Sequence, residues 1–326
     1  MSAPLLSVRD LVKHFPIRKG LFSRVAGQVH AVDGVSFDIA AGETLGLVGE
    51  SGCGKSTTGK AILRLADVSS GSIAWRGERI DQYNNAQMRP VRRELQAVFQ
   101  DPYASLNPRL RAADIVAEPI RNYETASQAQ INERVAALFA KVGLRSDQLV
   151  KYPYEFSGGQ RQRLGIARAL AMGPKLIVCD EPVSALDVSV QAQVINLLMD
   201  LQQQMGLAYL FVAHDLAVVE HICHRVAVMY LGKIVEIADK RTLYSTPQHP
   251  YTEALLSAAP VPDPTAKRKR IILSGDVPSP INPPSGCRFH TRCSQAGPRC
   301  KTQEPVMKAL GEGHLAACHL HDGGTG

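Results

Sequence analysis

Residues 49–56 read G-E-S-G-C-G-K-S and follow directly on the apolar run 45–48. This combination is typical of a strand that enters a glycine-rich turn and then opens a helix. The glycines let several backbone N–H groups face one position, Lys55 supplies a cation for β- and γ-phosphates, and the Ser56 hydroxyl can coordinate Mg²⁺. The chain is therefore constrained to an α/β fold with a nucleotide-binding loop. The predicted nucleotide-binding residues are Gly49, Glu50, Ser51, Gly52, Cys53, Gly54, Lys55, Ser56 and Thr57.

Five further motifs follow along the chain. They are Gln100 after the strand-like run 95–99, F-S-G-G-Q at 156–160, L-I-V-C-D-E at 176–181, S-A-L-D at 184–187, and His214 after the apolar run 209–213. Alone, a Ser-Gly pair, a glutamine or a histidine is more often structural than functional. Taken together, the order and spacing of the six motifs resembles the ATP-binding subunits of ABC transporters, whose signature is usually written L-S-G-G-Q.

This resemblance implies a role for each acidic and polar motif residue. Mg²⁺ would be held by Ser56, Gln100 and Asp180, and Glu181 would polarise the attacking water as general base. His214 would bridge the γ-phosphate to the D-loop of a partner subunit, and the D-loop residue of this chain is Asp187. Gln100 would also sense the γ-phosphate. Such a set suits phosphoryl transfer to water, which needs mainly positioning and charge stabilisation.

The F-S-G-G-Q segment is implied to act on the ATP of a partner, because two cassettes of this family face each other head to tail. Its residues are Ser157, Gly158, Gly159 and Gln160. They precede an apolar run predicted to be helical, and the positive end of a helix dipole suits a γ-phosphate. A single chain is therefore expected to hydrolyse ATP poorly.

The family resemblance also implies the fold class: an α/β ABC nucleotide-binding domain with a RecA-like P-loop core, an antiparallel β subdomain and a helical subdomain. Residues 5–48 read as β-rich. Helical spacing of apolar residues supports a helical subdomain at about 101–171; these residues are Ile131, Val135, Leu138, Phe139 and Val142. Strand, helix and strand alternate over 175–213, which predicts a parallel sheet.

The adenine end of the nucleotide is assigned to Phe15. The family usually places an aromatic ring under the base near the end of the first strand, and Phe15 occupies the corresponding position. An aromatic side chain buried in the core is the alternative for this residue.

Composition bounds the location and the partners. The chain has 326 residues, enough for one large domain and an appendage, and no apolar run approaches the about 18–20 residues of a membrane-spanning helix. Residues 1–4 open with no signal-peptide pattern. We therefore predict a peripheral protein on the cytoplasmic side of the inner cell membrane. The net charge is +7, but the basic residues are scattered and their densest cluster, 267–270, follows a Pro-rich linker, so no nucleic-acid partner is expected.

The C-terminal third narrows the resemblance. H-P-Y-T at 249–252, followed by Leu255-Leu256, together with 275–284 and 286–290, resembles the C-terminal region of ATPase subunits from dipeptide and oligopeptide importers. The match looks closest to the second ATPase subunit of a bacterial dipeptide importer. It implies an ABC ATPase domain at 1–245 and a C-terminal domain at 246–326. The implied partners are a second, homologous ATPase subunit, two transmembrane permease subunits and, indirectly, a peptide-binding protein.

Four of the seven cysteines gather near the C-terminus, spaced C-x5-C-x6-C-x17-C. They are Cys287, Cys293, Cys300 and Cys318. Disulfides are unfavourable in a cytosolic chain, so metal is the first interpretation. The spacing is wider than that of structural zinc sites, and similar importer ATPases carry a [4Fe–4S] cluster, which makes this cluster the predicted cofactor beside ATP and Mg²⁺. Zinc and free thiols are the alternatives.

The P-loop cysteine carries a separate hypothesis. Cys53 lies beside Lys55 and a helix N-terminus, a setting that lowers a thiol pKa. The sequence therefore predicts a reactive thiol that ATP protects from alkylation. A tolerant loop position is the alternative.

Two classes of function remain. The first is the ATPase of an ABC peptide importer, or the equivalent ATPase of an importer of nickel or glutathione. The second is a soluble ABC ATPase that acts on ribosomes or DNA. The single glycine-rich loop, the single signature and the lack of a long heptad run favour the importer.

Overall fold

The computed structural model describes residues 3–20, 24–258 and 271–322. The basic cluster 267–270 lies outside these ranges. The chain divides into two compact units. Unit one consists mainly of Ile39–Glu43 and Gln82–Val212, and unit two of Ala3–Asp38, Thr44–Asp81 and Ala213–Gly326.

The described residues form twelve β-strands. They are β1 (Leu6–Lys19), β2 (Arg24–Ile39), β3 (Thr44–Val48), β4 (Ser70–Trp75), β5 (Glu78–Arg79), β6 (Leu95–Val98), β7 (Leu176–Asp180), β8 (Ala208–Ala213), β9 (Arg225–Tyr230), β10 (Lys233–Asp239), β11 (Lys308–Gly311) and β12 (His314–Ala316).

The same ranges contain eleven α-helices. They are α1 (Lys55–Ile62), α2 (Asn85–Glu94), α3 (Pro102–Ser105), α4 (Ala112–Tyr123), α5 (Gln128–Lys141), α6 (Gly158–Leu170), α7 (Val188–Met205), α8 (Leu216–Ile222), α9 (Lys240–Ser245), α10 (Pro250–Ala258) and α11 (Pro298–Thr302). Short 3₁₀ turns occur at Ser146–Gln148, Pro153–Glu155 and His319–His321.

Unit one is built on parallel strands. β6 pairs with β7 and β7 with β8, so that Val98 lies opposite Cys179 and Cys179 opposite Phe211. Every residue of β7 and β8 is buried, as expected for parallel strands that are covered on both faces. These strands end at the same edge, and the motif residues Asp180 and Glu181 lie at that edge.

The helices of unit one occupy the segment predicted to be helical. α4, α5 and α6 pack against one another. α5 begins with a capping box in which Ser127 and Gln130 each accept a backbone N–H of the other. Its buried face contains Ile131, Val135 and Phe139, in agreement with the periodicity of the sequence.

The strands of unit two belong to two sheets. One has the order β2-β1-β4-β5, and β4 pairs antiparallel with β1 and β5. In the other, β3 pairs with β9 in parallel. From β9 the sheet continues through β10 and β12 to β11 at its edge, and each of these three pairs is antiparallel. The glycine-rich loop follows β3, and C-terminal strands extend the sheet to which β3 belongs.

Within the ranges that the structure describes, no helix combines the length and hydropathy needed to cross a bilayer.

Candidate functional site

The glycine-rich loop of unit two has a backbone that only glycine can supply at two positions. Gly49 has φ 151° and Gly54 has φ 108°. A Cβ atom on Gly49 would lie 2.1 Å from the Met229 carbonyl oxygen, and one on Gly54 would lie 2.0 Å from that of Ala31. Both distances are far below van der Waals contact. The loop is therefore curled tightly against its neighbours before α1 begins at Lys55.

Lys55 is directed onto this loop. Its side chain is buried, with the residue only 4% exposed. Its Nζ donates to the carbonyl oxygen of Gly49 at 2.8 Å and to that of Glu50 at 3.1 Å. Ser56 and Thr57 follow, half-buried, in the first turn of α1, which contains no acidic residue. A buried ammonium and a helix N-terminus in one loop favour an anion.

Glu50 of the loop is contacted by two residues that were not predicted as site residues. Its backbone N–H donates to the hydroxyl oxygen of Tyr251 at 2.9 Å. Its carboxylate accepts two hydrogen bonds from Arg292, at 2.7 and 3.2 Å. Tyr251 lies within the H-P-Y-T motif, so the motif marked the residue without revealing its contact.

The lowered pKa expected for the Cys53 thiol is wrong. Burial raises the pKa of this thiol and outweighs the opposing effect of Lys55. The Cys53 residue is only 4% exposed, and its backbone carbonyl accepts the N–H of Gly232 at 2.9 Å. Lys55 still favours the thiolate, but the cost of removing that thiolate from water is larger because the thiol is enclosed.

We therefore expect N-ethylmaleimide to modify Cys53 at least about tenfold more slowly than it modifies glutathione at neutral pH. Peptide mapping by mass spectrometry after timed labelling measures this rate. ATP should change the rate little, since burial already protects the thiol. Rapid modification that ATP prevents would contradict the expectation.

Two predicted catalytic residues meet in unit one. The Gln100 side-chain amide donates to Glu181 Oε2 at 3.0 Å. Glu181 follows directly on β7 with φ 47°, a left-handed backbone that is uncommon for a residue with a side chain. Its N–H donates to the Val212 carbonyl at 3.0 Å, which fixes the turn. Asp180, the last residue of β7, is buried.

The signature residues form the start of α6. Ser157 caps this helix: its Oγ accepts the Gln160 N–H at 3.3 Å, and Gln160 Oε1 accepts the Ser157 N–H at 3.0 Å. Ser157 and Gly158 are exposed. Gly159 is buried, and a Cβ atom there would lie 2.4 Å from Cγ1 of Val190 in α7. The segment thus presents a helix N-terminus to solvent while its second glycine permits close packing.

Three further predicted residues are exposed. Asp187 is exposed and precedes α7. His214 follows β8 and is exposed. Phe15 in β1 is 41% exposed, with Lys13 Nζ 4.7 Å from its ring centroid. The core alternative for Phe15 is therefore wrong, because the residue is exposed rather than buried.

The four C-terminal cysteines do not form a compact ligand set. In the part of the chain that the structure describes, the only group of three or more His, Cys, Asp or Glu donors within 4.8 Å of one another is His14, His30 and Asp33. The Cys287 thiol, whose pKa burial raises to about 11, nevertheless interacts electrostatically with those of Cys300, Cys318 and Cys293.

The His14, His30 and Asp33 group was not anticipated from sequence, since its members are spread over β1 and β2. His14 Nε2 lies 3.0 Å from Asp33 Oδ1. Arg288 also forms an ion pair with Asp33 and lowers the pKa of that carboxyl, although burial opposes the change. A guanidinium already neutralises this carboxylate, which disfavours a metal cation there.

A buried carboxylate in β10 organises the H-P-Y-T motif. Glu236 is fully buried and accepts the backbone N–H groups of Gln248 at 2.7 Å and His249 at 2.9 Å. Its Oε1 also lies 2.8 Å from His314 Nε2 in β12. His249 Nδ1 in turn accepts the Tyr251 N–H at 3.1 Å. His249 is thus held as a neutral acceptor, and burial lowers its pKa to about 3.

This depressed pKa predicts acid sensitivity. Below the pKa of about 6.5 that His249 has in an unfolded chain, the unfolded state takes up a proton that the folded state excludes, so stability falls as the pH falls toward 3. Between pH of about 7.5 and about 5.5 the His249 contribution to the free energy of unfolding should fall by about 1.4 kcal/mol. Denaturant titrations of the native chain and of His249→Gln measure it. An equal pH dependence in both proteins would contradict the prediction.

Comparison with known proteins agrees with this geometry. The family model described as ABC transporter matches residues 32–184, and that described as Oligopeptide/dipeptide transporter, C-terminal region, matches residues 235–300. The ATP-binding cassette MJ0796, solved as a dimer in a post-hydrolysis state with ADP and Pi, has a TM-score of 0.65 and 26% identity, covering 72% of this chain and 99% of that one. The fold and the motif residues thus define the class of ABC ATPases, and the predicted α/β ABC fold is confirmed.

Two curated relatives specify the family. The probable peptide ABC transporter ATP-binding protein y4tS of Sinorhizobium fredii is 55% identical over 98% of this chain and 91% of that protein. The oligopeptide transport ATP-binding protein AppF of Bacillus subtilis is 54% identical over 97% of each chain. The chain belongs to the family of oligopeptide and dipeptide ABC transporter ATP-binding proteins.

Proposed function

We propose that this chain binds and hydrolyses ATP to drive uptake of dipeptides or oligopeptides through an ABC importer. The structural observation that carries the proposal is the loop in which Gly49 and Gly54 lack room for a Cβ atom and the buried Lys55 faces the loop carbonyls. The near full-length similarity to peptide transport proteins supports the importer rather than a soluble ATPase that acts on ribosomes or DNA.

Each site residue has a role in this proposal. Residues 49–57 bind the phosphates, Phe15 stacks on adenine, and Ser56, Gln100 and Asp180 hold Mg²⁺. Glu181 polarises the attacking water, and His214 contacts the γ-phosphate. The signature residues 157–160 and the D-loop residue Asp187 act across a dimer on the partner's nucleotide. Mg²⁺ supplies charge neutralisation when it is bound, and the protein supplies the positioning.

The proposed assembly pairs this chain with a second, homologous ATPase subunit and two transmembrane permease subunits. A peptide-binding protein would deliver the cargo, and this chain would be peripheral on the cytoplasmic side of the inner membrane. Exposed signature residues at the N-terminus of α6 suit such a head-to-tail partner. The cargo class follows from the relatives, and importers of nickel or glutathione are the alternative.

ATPase measurements test this proposal. The chain purified alone should hydrolyse ATP slowly, and activity should rise when it is reconstituted in lipid with its permease and ATPase partners. Adding binding protein loaded with a dipeptide or oligopeptide should raise activity again. Full activity in the isolated chain, indifferent to the permease, would contradict the proposal. Stimulation by nickel-loaded or glutathione-loaded binding protein alone would contradict the peptide cargo.

We further propose that Cys287, Cys293, Cys300 and Cys318 hold a [4Fe–4S] cluster. The supporting observations are the electrostatic interaction of the Cys287 thiol with the other three and the 2.8 Å hydrogen bond from the Cys287 N–H to the Cys300 carbonyl. A cluster of several irons holds its thiolates farther apart than a single ion does, which suits thiols gathered without close contact. When bound, the cluster would cross-link the C-terminal segment at these four positions and so stabilise its fold.

Anaerobic purification tests the cluster. We expect about four irons and about four sulfides per chain, with large loss in Cys293→Ser and none in Cys223→Ser, whose thiol is buried elsewhere. Stoichiometric zinc, or no metal in the native chain, would overturn the proposal.

A further inference from the structure

Two side chains from the C-terminal part of unit two hold one residue of the phosphate loop. Tyr251 and Arg292 both contact Glu50, although 201 and 242 positions separate them from it in the chain. The Glu50 carbonyl accepts from Lys55 Nζ at 3.1 Å. The N–H, the carboxylate and the carbonyl of Glu50 are therefore all bonded within the described structure. A loop residue held at every polar group has little freedom to rearrange.

Tyr251 is a rigid acceptor. It is fully buried at the start of α10, with ring centroids 4.7 Å from Tyr230 and 5.3 Å from Phe289. These rings fix the position of the Tyr251 hydroxyl, whose oxygen accepts the Glu50 N–H. Burial also raises the pKa of Tyr251, so the hydroxyl is neutral. The Glu50 backbone is thus anchored to a packed aromatic cluster rather than to a flexible side chain.

Arg292 neutralises the negative charge of the Glu50 carboxylate. Glu50 puts a carboxylate into a loop that is proposed to bind the several negative charges of a triphosphate. Arg292, whose side chain is only 8% exposed, engages both carboxylate oxygens with two nitrogens. Bidentate pairs of this kind fix geometry as well as charge. Without Arg292, the Glu50 carboxylate would be unpaired and would repel the phosphates.

From this geometry we infer that Arg292 and Tyr251 are positioning residues for ATP, and that they act through Glu50. They hold the phosphate loop in its binding conformation before ATP arrives, which lowers the ordering cost of binding. Arg292 also removes the repulsion between Glu50 and the phosphates. This inference rests on the proposed assignment of residues 49–57 as the phosphate site. It gives the C-terminal segment a direct part in ATP affinity.

A double-mutant cycle tests the inference on the full chain. ATP affinity is measured with a fluorescent ATP analogue and Mg²⁺ for Arg292→Gln, Glu50→Gln and the double variant. We expect Arg292→Gln to weaken binding about tenfold, and more at low salt than at high salt because charge repulsion is screened. In the Glu50→Gln background, Arg292→Gln should add no further loss, since its partner is already gone. Tyr251→Phe should weaken binding about fivefold.

Kinetics in the reconstituted transporter separate positioning from a general loss of structure. Arg292→Gln should raise KM for ATP about tenfold while kcat stays within about twofold, and Arg292→Lys should recover part of the affinity through its charge. Arg299→Gln is the matched control, because Arg299 lies in the same segment and pairs with Asp322. It should leave KM unchanged. If Arg292→Gln does not fold, Arg292→Lys and Tyr251→Phe carry the same test.

The outcomes distinguish this inference from the site on which it rests. ATP binding within about twofold of the native value in Arg292→Gln and Tyr251→Phe, or an equal loss from Arg292→Gln with and without Glu50, would overturn the inference. Unchanged ATP binding in Lys55→Ala would instead overturn the phosphate site itself. Loss of binding in Lys55→Ala beside unchanged binding in Arg292→Gln therefore rejects the inference alone.

Discussion

Glu181→Gln is expected to lower kcat for ATP hydrolysis by about 10²–10⁴-fold, the usual contribution of a general base, while ATP still binds. Glutamine matches glutamate in shape and can still accept the hydrogen bond that Gln100 donates at 3.0 Å. It cannot take a proton from water. The substitution therefore removes proton transfer and preserves the local geometry.

The backbone at Glu181 makes this a clean substitution. The residue has φ 47° and its N–H is bonded to Val212, and glutamine places the same demand on that turn. Single-turnover ATP hydrolysis in the reconstituted transporter, with ATP binding measured in parallel, checks the expectation. Glu133→Gln is the control, since Glu133 is exposed on α5 and makes the same change of charge. A kcat within about threefold of the native value would exclude Glu181 as the base.

Gly49→Ala is expected to abolish ATP binding, with an affinity loss of at least about 100-fold, and to destabilise unit two by about 3 kcal/mol or more. The added Cβ would lie 2.1 Å from the Met229 carbonyl oxygen and 2.9 Å from Cys53 Sγ, at a φ of 151°. The carbonyl belongs to β9, which is paired with β3, so it cannot move without breaking the sheet. The glycine-rich loop must therefore change its conformation instead.

Gly52→Ala separates the clash from backbone strain. Gly52 lies in the same loop with φ 78°, but no atom lies within 4 Å of the Cβ that would be added. This variant should cost about 1–2 kcal/mol from its left-handed backbone alone and should retain most ATP affinity. Thermal unfolding and ATP titration of both variants measure the difference. Equal effects of the two substitutions would show that crowding at Met229 is not decisive.

Contiguous motifs made the class of this protein predictable. The glycine-rich loop, the signature and the Asp180–Glu181 pair at the end of β7 each report local backbone geometry through glycines and apolar runs. Gln100 and Glu181 were each predicted as catalytic from their own motif, and the hydrogen bond between their side chains was not predicted. The periodicity over 131–142 predicted the buried face of α5, because helical spacing is a local property.

Contacts between distant parts of the chain were not predictable in this way. Nothing near Glu50 in sequence indicates that Arg292 neutralises it, because the contact depends on the path of the C-terminal segment. The same limit explains the error at Cys53: the neighbouring Lys55 is visible in sequence, whereas the burial that raises the thiol pKa is not. Neighbouring residues in sequence predict which groups can interact, whereas burial sets the direction in which the pKa of such a group shifts.

The buried Glu236 restricts how the segment from Gln248 onward can be removed from this protein. Ending the chain before Gln248 would remove three donors from this carboxylate at once. It would also uncover the edge of β10 that β12 now occupies, and a bare edge invites pairing with other chains. A protein shortened in this way would therefore leave a buried, unpaired carboxylate at position 236 unless that residue were replaced. A shortened protein designed around the glycine-rich loop should therefore carry an apolar residue at position 236.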